Sequence, residues 1–291
     1  MRPARVKCPA KLNLYLDISF RMPNGYHIME MVMQTVNLFD TVYLTLRDDS
    51  EIHLTMDNSD IPTDETNIAW RCARALLDAA GSREGVNIRI HKQIPAQAGL
   101  GGGSADGAGV LVGLNALLNS PLSEKALCDL GAKIGADIPF CLVGGTAVVR
   151  GYGEIIEPID PLPPCHILIA KPAVGISTAA CFARYDESGI PLALPGTPPV
   201  KAAIQEGDIA AVGKSLYNVL ERVCDCEEID HIKSEMLACG AAGSLMSGSG
   251  SAVFGLFART ADAEAAARRL KLQRYFVRRC SPIQYGASFV G

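Results

Sequence analysis

Apolar and polar residues alternate along several short segments of the chain, as they do in β-strands that bury one face. The clearest case is KLNLYLDI at residues 11–18, where every second residue is leucine or isoleucine. The opposite side of this strand is predicted to be open to solvent. It carries Lys11, Asn13, Tyr15 and Asp17. The same alternation predicts further strands at residues 41–46, 51–56 and 86–91.

Other segments repeat their apolar residues with the helical period of about 3.6 residues. Residues 66–80 carry one such stripe and are followed by Gly81, a frequent helix stop. A second stripe runs through residues 110–118, and Ser123 can cap the next helix, which is predicted to end near Gly135. Further helices are predicted at residues 177–185, 208–223, 228–239 and 260–271. Apolar runs predict buried strands at residues 166–170 and 252–258.

The segment PIDPLPPC, residues 158–165, holds four prolines in eight residues. Proline cannot continue a helix or the interior of a sheet, so this segment is the best candidate for a linker. We therefore expect two domains, residues 1–157 and residues 165–291. Because antiparallel-looking strands are mixed with helices, the predicted fold class is α+β rather than a doubly wound parallel sheet.

Composition narrows the class of protein. The chain has 291 residues, 48% of them hydrophobic and 20% charged, which is enough apolar material for a sizeable core. A net charge of −4 argues against broad electrostatic binding to nucleic acid or to an anionic membrane. No apolar run approaches the ~18 residues of a membrane span, and no signal-peptide core is found at the amino terminus. Ten cysteines without a CxxC pair are typical of reduced, mostly buried thiols, so we expect a cytoplasmic protein.

The richest glycine cluster lies in IPAQAGLGGGSADGAGV, residues 94–110, where four of the five residues from Gly99 to Gly103 are glycine. Without side chains, several backbone N–H groups can point together at a ligand, and a helix from about Ser104 would add its own unpaired N–H groups. This arrangement is typical of a phosphate-binding loop. A flexible surface turn is the alternative interpretation.

Neither familiar nucleotide-binding pattern fits this loop. No lysine follows the glycines, as the Walker pattern requires, and Asp106 stands where a Rossmann pattern begun at Gly101 needs its third glycine. A second glycine cluster, MSGSGSAVFG at residues 246–255, comes directly before an apolar run. On its own it is an ordinary turn. Together the two clusters suggest that two backbone segments approach one charged ligand.

Three stretches occur in order along the chain: PAKLNLYLDI (9–18), PAQAGLGGGSADGA (95–108) and SGSGSAVFG (247–255). Together they resemble the GHMP kinases, the superfamily of galactokinase, homoserine kinase and mevalonate kinase. Two more stretches are RMPNGYHIMEMVMQTVNLFDTV (21–42) and GADIPFCLVGGTAVVRGYGE (135–154). These resemble the subfamily that acts on 4-diphosphocytidyl-2-C-methyl-D-erythritol.

The resemblance implies an amino-terminal domain like the second domain of ribosomal protein S5 and a ferredoxin-like carboxyl-terminal domain, with ATP and substrate in the cleft between them. It also implies a kinase that uses ATP and Mg²⁺ to phosphorylate the 2-hydroxyl of a cytidine diphosphate compound, in the non-mevalonate route to isoprenoid precursors. Such an enzyme would be a monomer or a homodimer, with neither nucleic acid nor membrane as a partner. Protein ligands of the magnesium ion are not assigned.

Lys11 and Asp137 match the catalytic pair of the family. By that resemblance Asp137 accepts the proton of the attacking hydroxyl, while Lys11 keeps Asp137 ionised and stabilises charge on the moving phosphoryl group. Without the resemblance, Asp137 is more typical of a turn or helix cap, and Lys11 of plain protein surface.

The resemblance places the ATP phosphates along the glycine-rich loop. The matching residues are Pro95, Ala96, Gln97, Ala98, Gly99, Leu100, Gly101, Gly102, Gly103, Ser104 and Ala105. The Ser104 hydroxyl can contact the phosphates or the magnesium ion, or it can simply cap a helix. Asn67 aligns loosely with an asparagine on the adenine side.

The residues that match the cytidine-binding side are Asn13, Tyr26, His27 and Phe182. Tyr26 offers a stacking face, and His27 can pair with the polar edge of cytosine. Phe182 is either the aromatic residue that closes on the base or a core residue of an amphipathic helix.

This chain departs from the family pattern at three positions. Ala105 stands where the family often has a second serine, and Gly107 where it often has alanine. Residues 218–221 read NVLE where NDLE is common, so Val219 takes the place of the aspartate. Two other functions stay open. The first is a different GHMP enzyme, such as homoserine kinase, against which the RMPNGYH stretch argues. The second is a non-catalytic RNA-binding module, against which the acidic balance argues.

Overall fold

The computed structural model describes residues 3–23, 25, 27–57, 61–190 and 196–290, in which the chain forms two β-sheets with helices packed against them. This is the predicted α+β class. The strands are β1 (Ala4–Arg21), β2 (His27–Arg47), β3 (Ile52–Met56), β4 (Gly85–His91), β5 (Thr146–Gly151), β6 (Ile155–Pro158), β7 (His166–Lys171), β8 (Tyr217–Asn218), β9 (Gly243–Met246), β10 (Val253–Phe257), β11 (Phe276–Cys280) and β12 (Ser288–Phe289). The helices are α1 (Ile68–Ala80), α2 (Gly102–Leu117), α3 (Glu124–Ala132), α4 (Ile138–Val143), α5 (Thr178–Glu187), α6 (Pro198–Gln205), α7 (Ile209–Lys214), α8 (Glu227–Ala238) and α9 (Thr260–Leu272).

The first sheet is built around the long antiparallel pair β1–β2, which runs from Ala4 opposite Leu44 to Arg21 opposite His27. Its strands follow the order β12–β1–β2–β4–β3, while β5 also pairs with β2, β6 with β5, and β8 with β1. Helix α2 packs on β1 and β2, and α1 packs against α2. The apolar side chains between these layers form the larger core of the chain.

Helix α2 lies close to the sheet because two of its glycines face the strands. A Cβ atom on Gly109 would lie 2.2 Å from Cys8 Sγ, and one on Gly113 would lie 2.3 Å from Leu44 Cδ1. Real Cβ atoms do not approach other atoms so closely, so a larger residue at either position would require these buried side chains to shift. The contact places the amino terminus of α2, and with it the glycine-rich loop, directly beside β1.

The second sheet has four antiparallel strands in the order β11–β7–β10–β9, with α8 and α9 packed against it. The predicted linker joins β6 of the first sheet to β7 of the second. Two short strands of the carboxyl-terminal half, β8 and β12, nevertheless pair with β1. The division into residues 1–157 and residues 165–291 stays a prediction. β8 and β12 belong to the second of these segments but pair with a strand of the first.

The prediction of an open face on β1 is wrong, because that face is buried. Lys11, Asn13, Tyr15 and Asp17 are 4%, 0%, 3% and 7% exposed. The carboxyl-terminal half of the chain covers them: the backbone N–H of Asn13 donates to Ser247 Oγ at 3.3 Å, and β8 pairs with β1. Strict alternation separates two faces of a strand, but it does not tell whether the second face meets water or another layer.

The helix predicted at residues 208–223 is wrong in its second half. Helix α7 ends at Lys214, and the chain then forms β8 and a short 3₁₀ turn at Val219–Val223. The Asn218 side chain donates to two carbonyl groups around the start of the second glycine cluster, each at 2.8 Å, so contacts between distant segments set the backbone here. Val219, one of the departures from the family pattern, is fully buried in a second apolar core, which joins residues of both sheets such as Met33 and Leu168.

Other local expectations agree with the structure. All ten cysteines are free and six are buried, which agrees with the prediction of reduced, mostly buried thiols. Burial raises the pKa of the Cys72 thiol to about 12, so this group stays neutral near pH 7. Among the described helices, none has both the length and the apolar composition that crossing a membrane requires.

No sequence pattern predicts α6, β6, β9, β11 or β12, which are all short.

Candidate active site

A cleft of about 550 Å³ opens beside the amino terminus of α2. The glycine-rich loop forms one wall, and every predicted ATP-loop residue from Pro95 to Ser104 lines it. Ala105 is fully buried behind that wall. The predicted catalytic residues Lys11 and Asp137 also border the cleft, so the structure brings the two groups of predicted residues together.

The glycine-rich loop is a packed element and not a flexible turn. Gly99 and Gly101 both have φ of +70°, and a Cβ atom on Gly99 would lie only 1.9 Å from the Ser247 carbonyl oxygen. Helix α2 begins at Gly102, two residues earlier than predicted, and no side chain caps its first turn. The N–H groups of Gly102, Gly103 and Ser104 therefore precede the helical hydrogen-bond ladder at the cleft wall.

The second glycine cluster is hydrogen-bonded to the first. Ser247 Oγ donates to the Gly99 carbonyl at 3.0 Å, and the Ala252 N–H donates to the Ala98 carbonyl at 3.1 Å. Gly248 from the second cluster lines the same cleft. The two glycine-rich segments therefore contact each other beside the cleft, and their approach to one charged ligand stays a prediction.

Lys11 and Asp137 form an ion pair at the cleft, with 3.3 Å between Lys11 Nζ and Asp137 Oδ2. Lys11 Nζ also donates to Asn13 Oδ1 at 2.7 Å, and the Lys11 backbone N–H donates to the Leu100 carbonyl at 3.0 Å. The lysine side chain is 5% exposed, whereas the Asp137 side chain is 27% exposed. Asp137 stands at the cap position of α4 but makes no capping bond with its side chain, so its carboxylate borders the cleft without that local constraint.

Two of the predicted cytidine-binding residues, Phe182 and His27, lie side by side, whereas Asn13 lies further along β1 beside Lys11. Phe182 on α5 lines the cleft, and its ring centre lies 5.0 Å from that of His27 on β2. Phe182 also packs against buried apolar residues, as the core interpretation expects, and its closing on a base stays a prediction. Asn13 is fully buried next to Lys11. Tyr26 lies outside the described residues.

Two further predicted positions have clear structural roles. Ser104 is the third residue of α2 and lines the cleft, so it does not cap that helix. Asn67 caps α1, because its side chain accepts from the Ala69 N–H at 2.8 Å and donates to the Pro62 carbonyl at 2.6 Å. Asn67 also lines the cleft.

Sequence patterns miss a buried charged cluster at the base of the loop. Lys92 Nζ lies 2.5 Å from Asp40 Oδ2 and 2.6 Å from Asp106 Oδ2, and none of the three side chains is more than 7% exposed. Asp40 Oδ1 also accepts the backbone N–H groups of Gln93 and Ile94 at 2.6 and 2.8 Å. The cluster thus ties β2, the start of the loop and α2 together. Its only sequence signal is Asp106 itself, a charged residue among small and apolar ones.

The cluster holds two carboxylates for one cation. Burial, opposed by the Lys92 ammonium, raises the pKa of Asp106 well above its usual range. Asp106 Oδ1 has no hydrogen-bond partner among the described residues, although it is buried. Burial opposes the charge of Lys92, yet Asp106 and Asp40 together raise the pKa of Lys92. Lys92 therefore stays charged and pairs with both carboxyl groups, although its single positive charge can neutralise only one of them.

Replacing Lys92 with methionine is expected to lower the free energy of unfolding by about 3–5 kcal/mol, because two buried carboxylates then lose the cation that pairs with them. Urea unfolding followed by circular dichroism measures the change. The matched control is Lys125→Met, which removes an exposed pair with Asp129 and should leave the midpoint unchanged. If the midpoint of Lys92→Met equals that of the unmodified chain, the cluster has no stabilising role.

The described residues contain no group of three or more His, Cys, Asp or Glu side chains that could hold a metal ion. Asp137 and the Ser104 hydroxyl both border the cleft and are oxygen ligands of the kind that Mg²⁺ prefers. Single oxygen ligands suit a magnesium ion that arrives bound to nucleotide phosphates, because such an ion keeps most of its coordination from phosphate and water.

Comparisons with known proteins agree with this geometry. Residues 67–145 match the GHMP kinases N terminal domain, and residues 200–275 match the GHMP kinases C terminal domain. The chain is 43% identical to 4-diphosphocytidyl-2-C-methyl-D-erythritol kinase of Alkaliphilus metalliredigens, over 94% of each chain. It is 44% identical to the kinase of the same name from Caldicellulosiruptor saccharolyticus, over 92% of each chain.

Solved structures show the same fold. A crystal structure of 4-(cytidine 5'-diphospho)-2C-methyl-D-erythritol kinase, 33% identical, superposes with a TM-score of 0.79 over 96% of this chain and 98% of that one. Homoserine kinase from Cytophaga hutchinsonii, at 21% identity, has a TM-score of 0.78 over 100% of this chain and 98% of that one, and so shares the fold. The chain belongs to the GHMP kinases and, within them, to the family of the 4-diphosphocytidyl-2-C-methyl-D-erythritol kinases.

Proposed function

We propose that this chain is an ATP-dependent kinase that phosphorylates the 2-hydroxyl of 4-diphosphocytidyl-2-C-methyl-D-erythritol in the non-mevalonate route to isoprenoid precursors. The observation that carries the proposal is the Lys11–Asp137 pair, 3.3 Å apart, which borders the same cleft as the amino terminus of α2. The relatives above, whose names state this kinase, support the choice of substrate.

The glycine-rich loop would bind the ATP phosphates. The N–H groups of Gly102, Gly103 and Ser104 have no partner within the helix, and the helix dipole adds partial positive charge at the same place. Lys11 lies beside this site, since a Cβ atom on Gly101 would lie 2.9 Å from Lys11 Cγ. Phosphoryl transfer depends mainly on positioning and on neutralising charge, and this wall offers both.

Asp137 would accept the proton of the attacking 2-hydroxyl. The Lys11 ammonium lies 3.3 Å from this carboxylate, so the proposed proton acceptor and the cation border the same part of the cleft. The same ammonium is placed to stabilise negative charge on the phosphoryl group during transfer. Asn13 Oδ1 accepts a hydrogen bond from Lys11 Nζ and so keeps the ammonium in place.

The cytidine would lie at the other end of the cleft, between the β1–β2 hairpin and α5. Phe182 and His27 provide aromatic faces there, and Tyr26 is proposed as a third. Magnesium would enter with ATP, where it neutralises phosphate charge, and Ser104 and Asp137 are the proposed protein contacts to it or its water shell.

A substrate panel tests the proposed function. The purified chain is incubated with ATP, Mg²⁺ and one acceptor at a time: the diphosphocytidyl compound, homoserine or mevalonate. We expect phosphate transfer to the diphosphocytidyl compound alone, with the product carrying phosphate on its 2-hydroxyl in phosphorus NMR. Transfer to homoserine or mevalonate without transfer to the diphosphocytidyl compound would assign a different GHMP activity. Filter binding with RNA at low salt tests the non-catalytic alternative, and no retention is expected.

A further inference from the structure

Helix α5 surrounds the imidazole ring of His27 with three side chains. The centre of the Phe182 ring lies 5.0 Å from that of His27, and the two ring planes are inclined by 31°. The Tyr185 ring is edge-on to His27, with 6.1 Å between ring centres. Asp186, one helical turn after Phe182, places Oδ1 2.7 Å from His27 Nε2. The His27 side chain is 9% exposed and that of Asp186 is 21% exposed, so the imidazole is largely buried while the carboxylate keeps contact with water.

The hydrogen bond to Asp186 has a consequence for the tautomer of His27. An ionised carboxylate can only accept hydrogen bonds, so the nitrogen that faces it must carry the ring hydrogen. In the neutral ring, Nε2 is then the donor and Nδ1 is left with a lone pair, which makes Nδ1 an acceptor. Arg21, the cross-strand partner of His27, lies 3.1 Å from the other Asp186 oxygen, so each carboxylate oxygen already faces a donor.

His27 does not itself line the cleft, but its neighbours do. Phe182, which contacts its ring, lines the cleft. Met29, two residues further along β2 and therefore on the same face of the strand, lines it as well. The apolar ring faces and the acceptor nitrogen together favour a flat heterocycle that carries a hydrogen-bond donor on its edge.

We propose that Asp186 is a positioning residue that makes the enzyme select cytosine over uracil by holding His27 in the Nε2–H tautomer. Nδ1 then accepts a hydrogen bond from the exocyclic amino group of cytosine. Uracil carries a carbonyl oxygen at that position, so two acceptors would face each other. The inference rests on the proposed function, because it needs a cytidine-bearing substrate in this cleft.

Asp186 also has a plain structural role from which the proposed one must be separated. Its ion pair with Arg21 fastens α5 to the β1–β2 hairpin. Arg21→Ala removes this fastening and leaves the carboxylate on His27, whereas Asp186→Asn keeps the shape of the side chain. An amide can turn either its oxygen or its nitrogen toward Nε2, so the asparagine no longer imposes one tautomer.

Nitrogen NMR of the unmodified chain tests the tautomer directly. The protein is labelled at its five histidines and measured with cytidine diphosphate bound, at a pH of about 8.5 where histidine is ordinarily neutral. The His27 signal is assigned with His27→Gln. We expect the hydrogen on Nε2 in the unmodified chain and in Arg21→Ala, and a mixture of tautomers in Asp186→Asn. A hydrogen on Nδ1 in the unmodified chain overturns the proposal, whether or not the variants fold.

Kinetics test the consequence for selectivity. The ratio of kcat/KM for the cytidine substrate to that for its uridine counterpart is compared among the three proteins. In Asp186→Asn we expect this ratio to fall by about tenfold, mainly through KM, because one hydrogen bond no longer discriminates. Arg21→Ala should keep the ratio. An unchanged ratio in Asp186→Asn, or an equal fall in Arg21→Ala, overturns the proposal. A chain that phosphorylates neither compound contradicts the proposed function instead, while the tautomer measurement still stands.

Discussion

Asp137→Asn is expected to lower kcat by about 10²–10⁴-fold, the usual range for losing a general base, while KM for ATP changes by less than about threefold. The amide keeps the size of the carboxylate but cannot take the proton of the attacking hydroxyl. The ATP loop is formed by other residues and should bind nucleotide as before. Steady-state kinetics with each substrate varied, together with ATP-analogue titration, separates the two effects.

Lys11→Met and Asp129→Asn complete this experiment. Lys11→Met removes the ammonium 3.3 Å from Asp137 and should also abolish turnover, because both the carboxylate and the moving phosphoryl group lose their cation. Asp129 pairs with Lys125 on the exposed surface of α3, so Asp129→Asn makes the same chemical change away from the cleft and should be silent. A near-normal rate in Asp137→Asn would show that the chemistry is assigned to the wrong residues.

Gly99→Ala is expected to raise KM for ATP by more than about 100-fold, since displacing the loop removes several charge-assisted hydrogen bonds to phosphate. The new Cβ atom would lie 1.9 Å from the Ser247 carbonyl oxygen, and the residue has φ of +70°. Backbone atoms cannot yield as a flexible side chain can. The loop must therefore move away from the second glycine cluster, and the N–H groups at the start of α2 move with it.

Gly81→Ala is the matched control for backbone strain. Gly81 ends α1 with φ of +61°, and a Cβ atom there would meet nothing within 4 Å. This variant is expected to lose about 1 kcal/mol of stability through the left-handed backbone and to keep its KM for ATP. If both variants bind ATP equally well, close packing of the two glycine clusters is not what shapes the phosphate site.

Local periodicity predicts elements whose contacts are mostly local, and this limit is visible in particular residues. The stripe at residues 110–118 and the stop at Gly81 identify α2 and α1, because both depend on neighbouring residues. The prediction that the second face of β1 is open to solvent fails, because Ser247, which contacts Asn13, lies 234 residues away along the chain. The apolar stripe before Asn218 likewise cannot anticipate hydrogen bonds from that side chain to residues 28 and 30 positions further on.

The candidate site likewise contains some residues that local sequence predicts and others that depend on distant partners. A glycine-rich segment directly before a helix exposes backbone N–H groups, so the proposed phosphate loop can be predicted from these residues alone. Lys11 and Asp137 become candidates only through resemblance, because no spacing rule relates residues 126 positions apart. Lys92 with Asp40, and His27 with Asp186, stay hidden because their partners lie 52 and 159 positions away. Only the folded chain brings these charges together.

Backbone N–H groups at the start of α2 are proposed to hold the ATP phosphates next to the Lys11–Asp137 pair. A crystal structure with a non-hydrolysable ATP analogue and the diphosphocytidyl substrate tests it most directly. We expect the terminal phosphate between Gly102, Gly103 and Lys11 Nζ, with the substrate 2-hydroxyl in hydrogen-bond contact with Asp137. A triphosphate bound elsewhere, away from both the loop and the ion pair, would contradict the claim.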